Sequence, residues 1–208
     1  MTYKSLFFII VAASSFGLSC IQLGENYDID KASPNGVYRV KIEVRAKAGK
    51  NTTRGYIEGV KIQYFKGQEI IDTEEWDNPY QYEPTFRQAM PIIEWVDDNV
   101  LRMGENRSKQ PFNDELIVSN NTDEYLKCVS VNYGKFEWFQ VFDLAPQSQV
   151  TLLASPGFVS RGSSRDFLGY SVLTASGKRF QSLMQSRKRK SPDEGPIKLQ
   201  IAINPKDL

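Results

Sequence analysis

Tyr38, Val40, Ile42, Val44 and Ala46 alternate with Arg39, Lys41, Glu43, Arg45 and Lys47. Successive side chains of a strand point to opposite faces, so this stretch has one apolar face and one charged face and belongs in an antiparallel sheet that is wet on one side. The same period returns in Tyr56 to Phe65, where Val60, Ile62 and Tyr64 share a face, and in Ile197 to Ile203, where Ile197, Leu199, Ile201 and Ile203 do. Ile92 to Val96 and Val100 to Met103 flank Asp97-Asp98-Asn99, a hairpin with turn-forming residues at its centre.

Gly104 to Asn113 is polar and carries Gly104, Asn106, Ser108 and Pro111, which marks a domain boundary. Short strand patterns follow it over 115–118, 125–133, 136–144, 150–154, 167–174 and 197–203. In Arg179 to Lys190, Phe180, Leu183 and Met184 also sit at helical spacing, but the neighbouring strands favour strand. The expectation is an all-β chain of two antiparallel β modules, 36–104 and 112–204. The number of strands in the C-terminal module suits an immunoglobulin-like β-sandwich. Phe136 to Phe142 carries aromatic side chains on both faces, which predicts burial on both sides or an interface.

Composition narrows the chemistry. The chain has no histidine, which removes Ser-His-Asp and Cys-His catalysis and His-bearing zinc sites. Twenty-six basic residues face 25 acidic ones, so no overall field points to nucleic acid. Glycine-rich dinucleotide and phosphate loops, GxSxG and SxxK are absent. No cofactor, metal or catalytic residue is assigned.

The first nineteen residues read as a signal peptide: Lys4, then the apolar run Leu6 to Ala13, then small residues. Phe16-Gly17-Leu18-Ser19-Cys20 resembles the lipobox of bacterial lipoproteins, in which the cysteine is acylated and becomes the first residue. The resemblance implies lipidation at Cys20 and a membrane partner through that anchor. With Ile21 rather than aspartate after the cysteine, it implies the outer membrane of a Gram-negative host, facing the periplasm. The alternative is cleavage after Ser19 by the ordinary peptidase, giving a soluble periplasmic or secreted protein whose Cys20 thiol is free or bridged to Cys128. Loss of Lys4 with the leader leaves 25 bases and 25 acids, a formal charge of zero. Acyl chains rather than a polybasic patch would then hold the membrane. Residues 20–35 read as a polar tether.

Glu69 to Glu83 holds Glu69, Asp72, Glu74, Glu75, Asp77 and Glu83 with no base, interleaved with Trp76, Tyr80 and Tyr82. Pro79 and Pro84 argue against regular structure there. The segment reads first as a solvated loop whose rings pack back on the first sheet. Rings also give flat apolar contact and acids accept from hydroxyls, so Trp76, Tyr80 and Tyr82 are the candidate contacts for any protein or glycan partner. A basic region, Arg161, Arg165, Lys178, Arg179 and Arg187 to Lys190, has opposite sign. The two segments can attract one another within the chain or join neighbouring molecules. Asp97 and Asp98 read as a turn, Cys128 as a buried apolar residue, and Trp95 and Trp138 as core anchors. Asn51, Asn106 and Asn120 begin N-glycosylation sequons, relevant only in a eukaryotic host. The expected function is a non-catalytic binding or structural accessory protein of the cell envelope, its ligand unassigned. The alternative is a carbohydrate-active hydrolase or glycan-binding module using Glu74, Glu75 and Asp77.

Overall fold

The computed structural model of the protein describes residues 26–48, 55–77, 92–104, 114–133, 137–154, 165–188 and 196–207. Within them the fold is all-β, and no helix is long and apolar enough to cross a membrane. The strands are β1 Tyr27–Ala32, β2 Tyr38–Ala48, β3 Gly55–Lys66, β4 Glu69–Asp77, β5 Ile92–Asp97, β6 Val100–Gly104 and β7 Asp114–Asn120. They continue with β8 Leu126–Tyr133, β9 Glu137–Leu144, β10 Ser148–Ala154, β11 Arg165–Thr174, β12 Arg179–Lys188 and β13 Lys198–Ile203. A 3-10 turn, Pro205–Asp207, follows.

These strands form three sheets. The first is a meander, β1-β2-β3-β4; the second has the order β12-β11-β8-β9-β6-β5; the third is β10-β7-β13. Pairing is antiparallel throughout except between β7 and β13, which run parallel. The antiparallel expectation therefore fails at this one pair. β13 arrives by a crossover from β12 in another sheet, so it is free to enter in either direction.

The second sheet is the middle layer, with a core on each side. Tyr38, Val40, Ile42 and Val44 of β2 and Val60, Ile62 and Tyr64 of β3 pack against Ile93, Leu101, Met103, Cys128, Phe142 and Leu173. On the other side Val129, Val131, Phe139, Val141 and Val172 meet Leu116, Val118, Leu152, Ala154, Ile201 and Ile203 of the third sheet. Alternation along β9 divides its side chains between the layers: Phe139 and Val141 face the third sheet, Phe142 the first. This is why the described part of that stretch, Glu137 to Phe142, is aromatic on both faces.

The hairpin β5–β6, placed by sequence in the 36–104 module, pairs through β6 with β9. Main-chain hydrogen bonding thus runs across the interval assigned as a boundary. Two stretches expected to be irregular are strands. The tether contains β1, an edge strand that pairs with β2's backbone and, among its described side chains, packs Ile29 against the core. The acidic stretch contains β4, which ends at Asp77, before Pro79, so the prolines lie beyond the strand they were expected to prevent. Arg179–Lys188 is a strand, as its neighbours indicated.

Candidate functional site

The β3–β4 hairpin turns at Gly67-Gln68, with Gly67 at φ +60°, a conformation that glycine adopts without Cβ strain. The turn sends β4 back along β3 as the edge of the first sheet and directs Asp72 and Glu74 toward the middle sheet. At the opposite edge β1 meets β5, where Lys31 Nζ donates to the Ile93 carbonyl at 2.6 Å. β4 lies near β8, and the inner face of β11 and β12 extends past it.

A cavity of about 520 Å³ opens there. Its floor is a polar row crossing four neighbouring strands of the middle sheet. Gln140 on β9 is in register with Ser130 on β8, Ser130 with Ser171 on β11, and Ser171 with Gln181 on β12. Asn132 and Trp138, directly opposite each other, also line the cavity, as does Met103.

Gln140 is buried and fully engaged. Its Nε2 donates to Tyr64 Oη at 3.0 Å and to Glu74 Oε1 at 3.1 Å. Its Oε1 accepts from Ser130 Oγ at 2.6 Å and from Cys128 Sγ at 3.1 Å. One side chain thus ties the first sheet to the middle one and fixes both the Glu74 carboxyl and the Ser130 hydroxyl. Burial, aided by the nearby Asp72 charge, raises the Glu74 carboxyl above its ordinary range. Asp72, almost wholly buried, receives both Nη groups of Arg179, with Nη1 to Oδ2 at 3.1 Å. This pair joins the acidic and basic segments within one chain. Among the described residues, the side chains of Asn132, Ser171 and Gln181 take no hydrogen bond. Among the same residues no cluster of His, Cys, Asp and Glu is arranged to hold a metal ion.

Glu74 lies in the cavity, whereas Glu75 is exposed and pairs with Arg45 at 3.6 Å on the outer side. The backbone of Trp76 pairs with Val60 and that of Asp77 with Gly59, while Tyr80, Tyr82 and Cys20 lie outside the described residues. Arg187 and Lys188 are the last paired residues of β12; Arg161, Arg189 and Lys190 are outside. Trp95 packs beside the core, whereas Trp138 packs there and also lines the cavity. The Asp97 carboxylate accepts from the Asp98 N–H at 2.7 Å, the turn chemistry expected of that pair. Cys128 is a buried free thiol. Asn120 is buried, and its amide donates to the carbonyls of Glu124, Leu144 and Ala145, so this sequon serves the fold. The sequons at Asn51 and Asn106 lie outside the described residues.

The polar row was not anticipated from sequence. Its signal is present in β9, where Gln140 stands between Trp138 and Phe142 on a single face. A glutamine so placed in a strand buried on both sides must bond to another layer. No protein-family model, curated protein or solved structure matches the chain.

Proposed function

We propose that this chain is an exported, lipid-anchored, non-catalytic binding or structural accessory protein of the cell envelope, held to the membrane through Cys20, with the cleft beyond β4 as its binding face. The observation that carries the binding reading is the row Ser130–Ser171–Gln181, polar groups on the inner face of the middle sheet, next to the core positions Cys128 and Leu173 of the same strands. Convergent polar side chains in a cleft of this size are typical of ligand sites. The leader Lys4 to Cys20 supports export and acylation. Strands β7 to β13, seven of them in two facing sheets, support reading 112–204 as an immunoglobulin-like sandwich.

Two measurements in the same cells test this. Labelled palmitate should enter the wild type and not Cys20→Ala; equal labelling, or a Cys20–Cys128 disulfide, rejects the anchor. Crosslinking on intact envelopes should capture a partner with the wild type and lose it with Gln181→Trp, which fills the cleft. Unchanged capture rejects the cleft as the binding face.

A second reading, a carbohydrate-active hydrolase, is favoured by one observation. Asp72 and Glu74 share the cleft in unlike surroundings, one paired with Arg179 and the other bonded to Gln140. Two carboxyl groups set apart in this way suit acid–base work. Turnover of a glycan by the wild type, abolished in a folded Glu74→Gln, would establish it.

A further inference from the structure

We propose that the cleft takes a neutral, hydroxyl-rich ligand, a sugar residue of an oligosaccharide. This rests on the reading of the cleft as a binding face and adds the chemistry of its occupant.

Hydrogen-bonding capacity supports this. Asn132 and Gln181 each offer an amide donor and acceptor, and Ser171 a hydroxyl that does both; none is engaged among the described residues. A sugar hydroxyl likewise donates and accepts at once. Neighbouring strands repeat at about 4.8 Å, so one ring lying across β8, β11 and β12 can reach two polar positions together. The groups beneath are fixed in advance, because Gln140 holds both Ser130 and Glu74. A site with its donors set before binding loses less order when filled.

Charge supports the same ligand class. The Asp72 carboxylate and the Arg179 guanidinium neutralise one another in a two-point pair. An anion must compete with Asp72 for Arg179, and a cation meets Arg179 beside every carboxylate it seeks. Burial disfavours ionisation of Glu74, leaving it suited to exchange hydrogen bonds with a hydroxyl. Trp138 and Met103 supply apolar surface for the C–H face of a sugar ring.

The test is titration of the full chain with trimers of glucose, mannose, galactose and N-acetylglucosamine, followed by calorimetry and by the Trp138 indole N–H resonance. A galacturonate trimer serves as the charged comparison. The expected result is saturable binding of at least one neutral trimer that shifts the Trp138 signal. Binding should weaken at least tenfold in Ser171→Ala with Gln181→Ala, and the galacturonate trimer should bind at least tenfold more weakly. Equal affinity for the monosaccharide would mark a free sugar as the source, and a strong preference for the trimer a glycan chain; either supports the proposal. Absence of saturable binding by all four neutral trimers, equal binding of galacturonate, or undiminished binding by the double variant overturns it. If no sugar binds while Gln181→Trp still abolishes envelope crosslinks, the binding face stands and only the ligand class falls.

Discussion

Arg179 and Asp72, 107 positions apart, meet in a two-point ion pair that links the edge of the first sheet to the edge of the middle one. Only the carboxylate is buried: the Arg179 side chain is 62% exposed and Asp72 6%. Solvent therefore screens much of the attraction. A double-mutant cycle with Arg179→Ala and Asp72→Asn should give a coupling of about 1 kcal/mol by urea denaturation. A coupling indistinguishable from zero would show that the pair adds nothing to the Gln140 network and the apolar core between the two sheets.

Glu74 makes stability depend on pH. Burial raises its folded-state value above the ordinary 4.5, so the folded chain retains a proton that the unfolded chain has released. Its contribution is complete below 4.5 and is lost as pH rises through the raised value. The variant Glu74→Gln keeps an acceptor for Gln140 and Tyr64 but does not titrate. Urea midpoints of wild type and variant should converge near pH 4 and separate in the variant's favour as pH rises. A constant offset would contradict this.

Asp114, fully buried, accepts from Tyr133 Oη at 2.5 Å and from the Ile197 N–H at 2.9 Å. It closes the start of β7 against β8 and the entry to β13. Asp114→Ala strands two buried donors and should cost about 2–4 kcal/mol, whereas Tyr133→Phe should cost about 1–2 kcal/mol. Equal losses in the two variants would mean that the Ile197 bond contributes nothing.

Cys128 should be inert in the folded protein. Burial first, and then the neighbouring Asp72 and Glu74 charges, push its thiol upward, away from the reactive thiolate. In a Cys20→Ala background, Ellman's reagent should react only after unfolding in urea. Rapid reaction with the native chain would place Cys128 within solvent reach.

Trp76 follows Glu74 by two positions along β4, and Arg187 and Lys188 are the last two residues of β12. Trp76→Ala with Tyr82→Ala should weaken capture of an envelope partner more than Arg187→Ser with Lys188→Ser, both pairs being checked for folding. Loss in the basic pair alone would move the contact to the β12 edge.

Strands whose partners bury one face were legible in sequence. The alternation in β2 and β13, the Asp97–Asn99 turn, and the two-sided aromatics of β9 all follow from local pattern. Layering was less legible. Cys128, Ser130 and Asn132 share one face of β8 and read locally as a solvent side. Only the arrival of the first sheet, contributed by distant residues, converts part of that side into core around Cys128 and the rest into a cleft. β1 escaped notice because an edge strand is specified by its partner's backbone rather than by its own side chains. The cleft residues escaped because a row across four strands is set by register, which one-dimensional spacing does not carry.

The parallel pairing of β13 with β7 sets the order in which the protein can be completed. The β1–β4 meander pairs each strand with its neighbour in sequence and can form as it emerges. The central strand of the third sheet must wait: its partner at Ile197 and beyond lies 83 positions later. Until those final residues arrive, Leu116 and Val118 have only β10 beside them, and the lower face of the middle sheet stays incompletely covered. Truncation before Ile197 should therefore leave a chain that forms its first sheet yet exposes an aggregation-prone surface on the opposite side. β13 acts as a closing latch, sealing the lower core only after every other described strand is available.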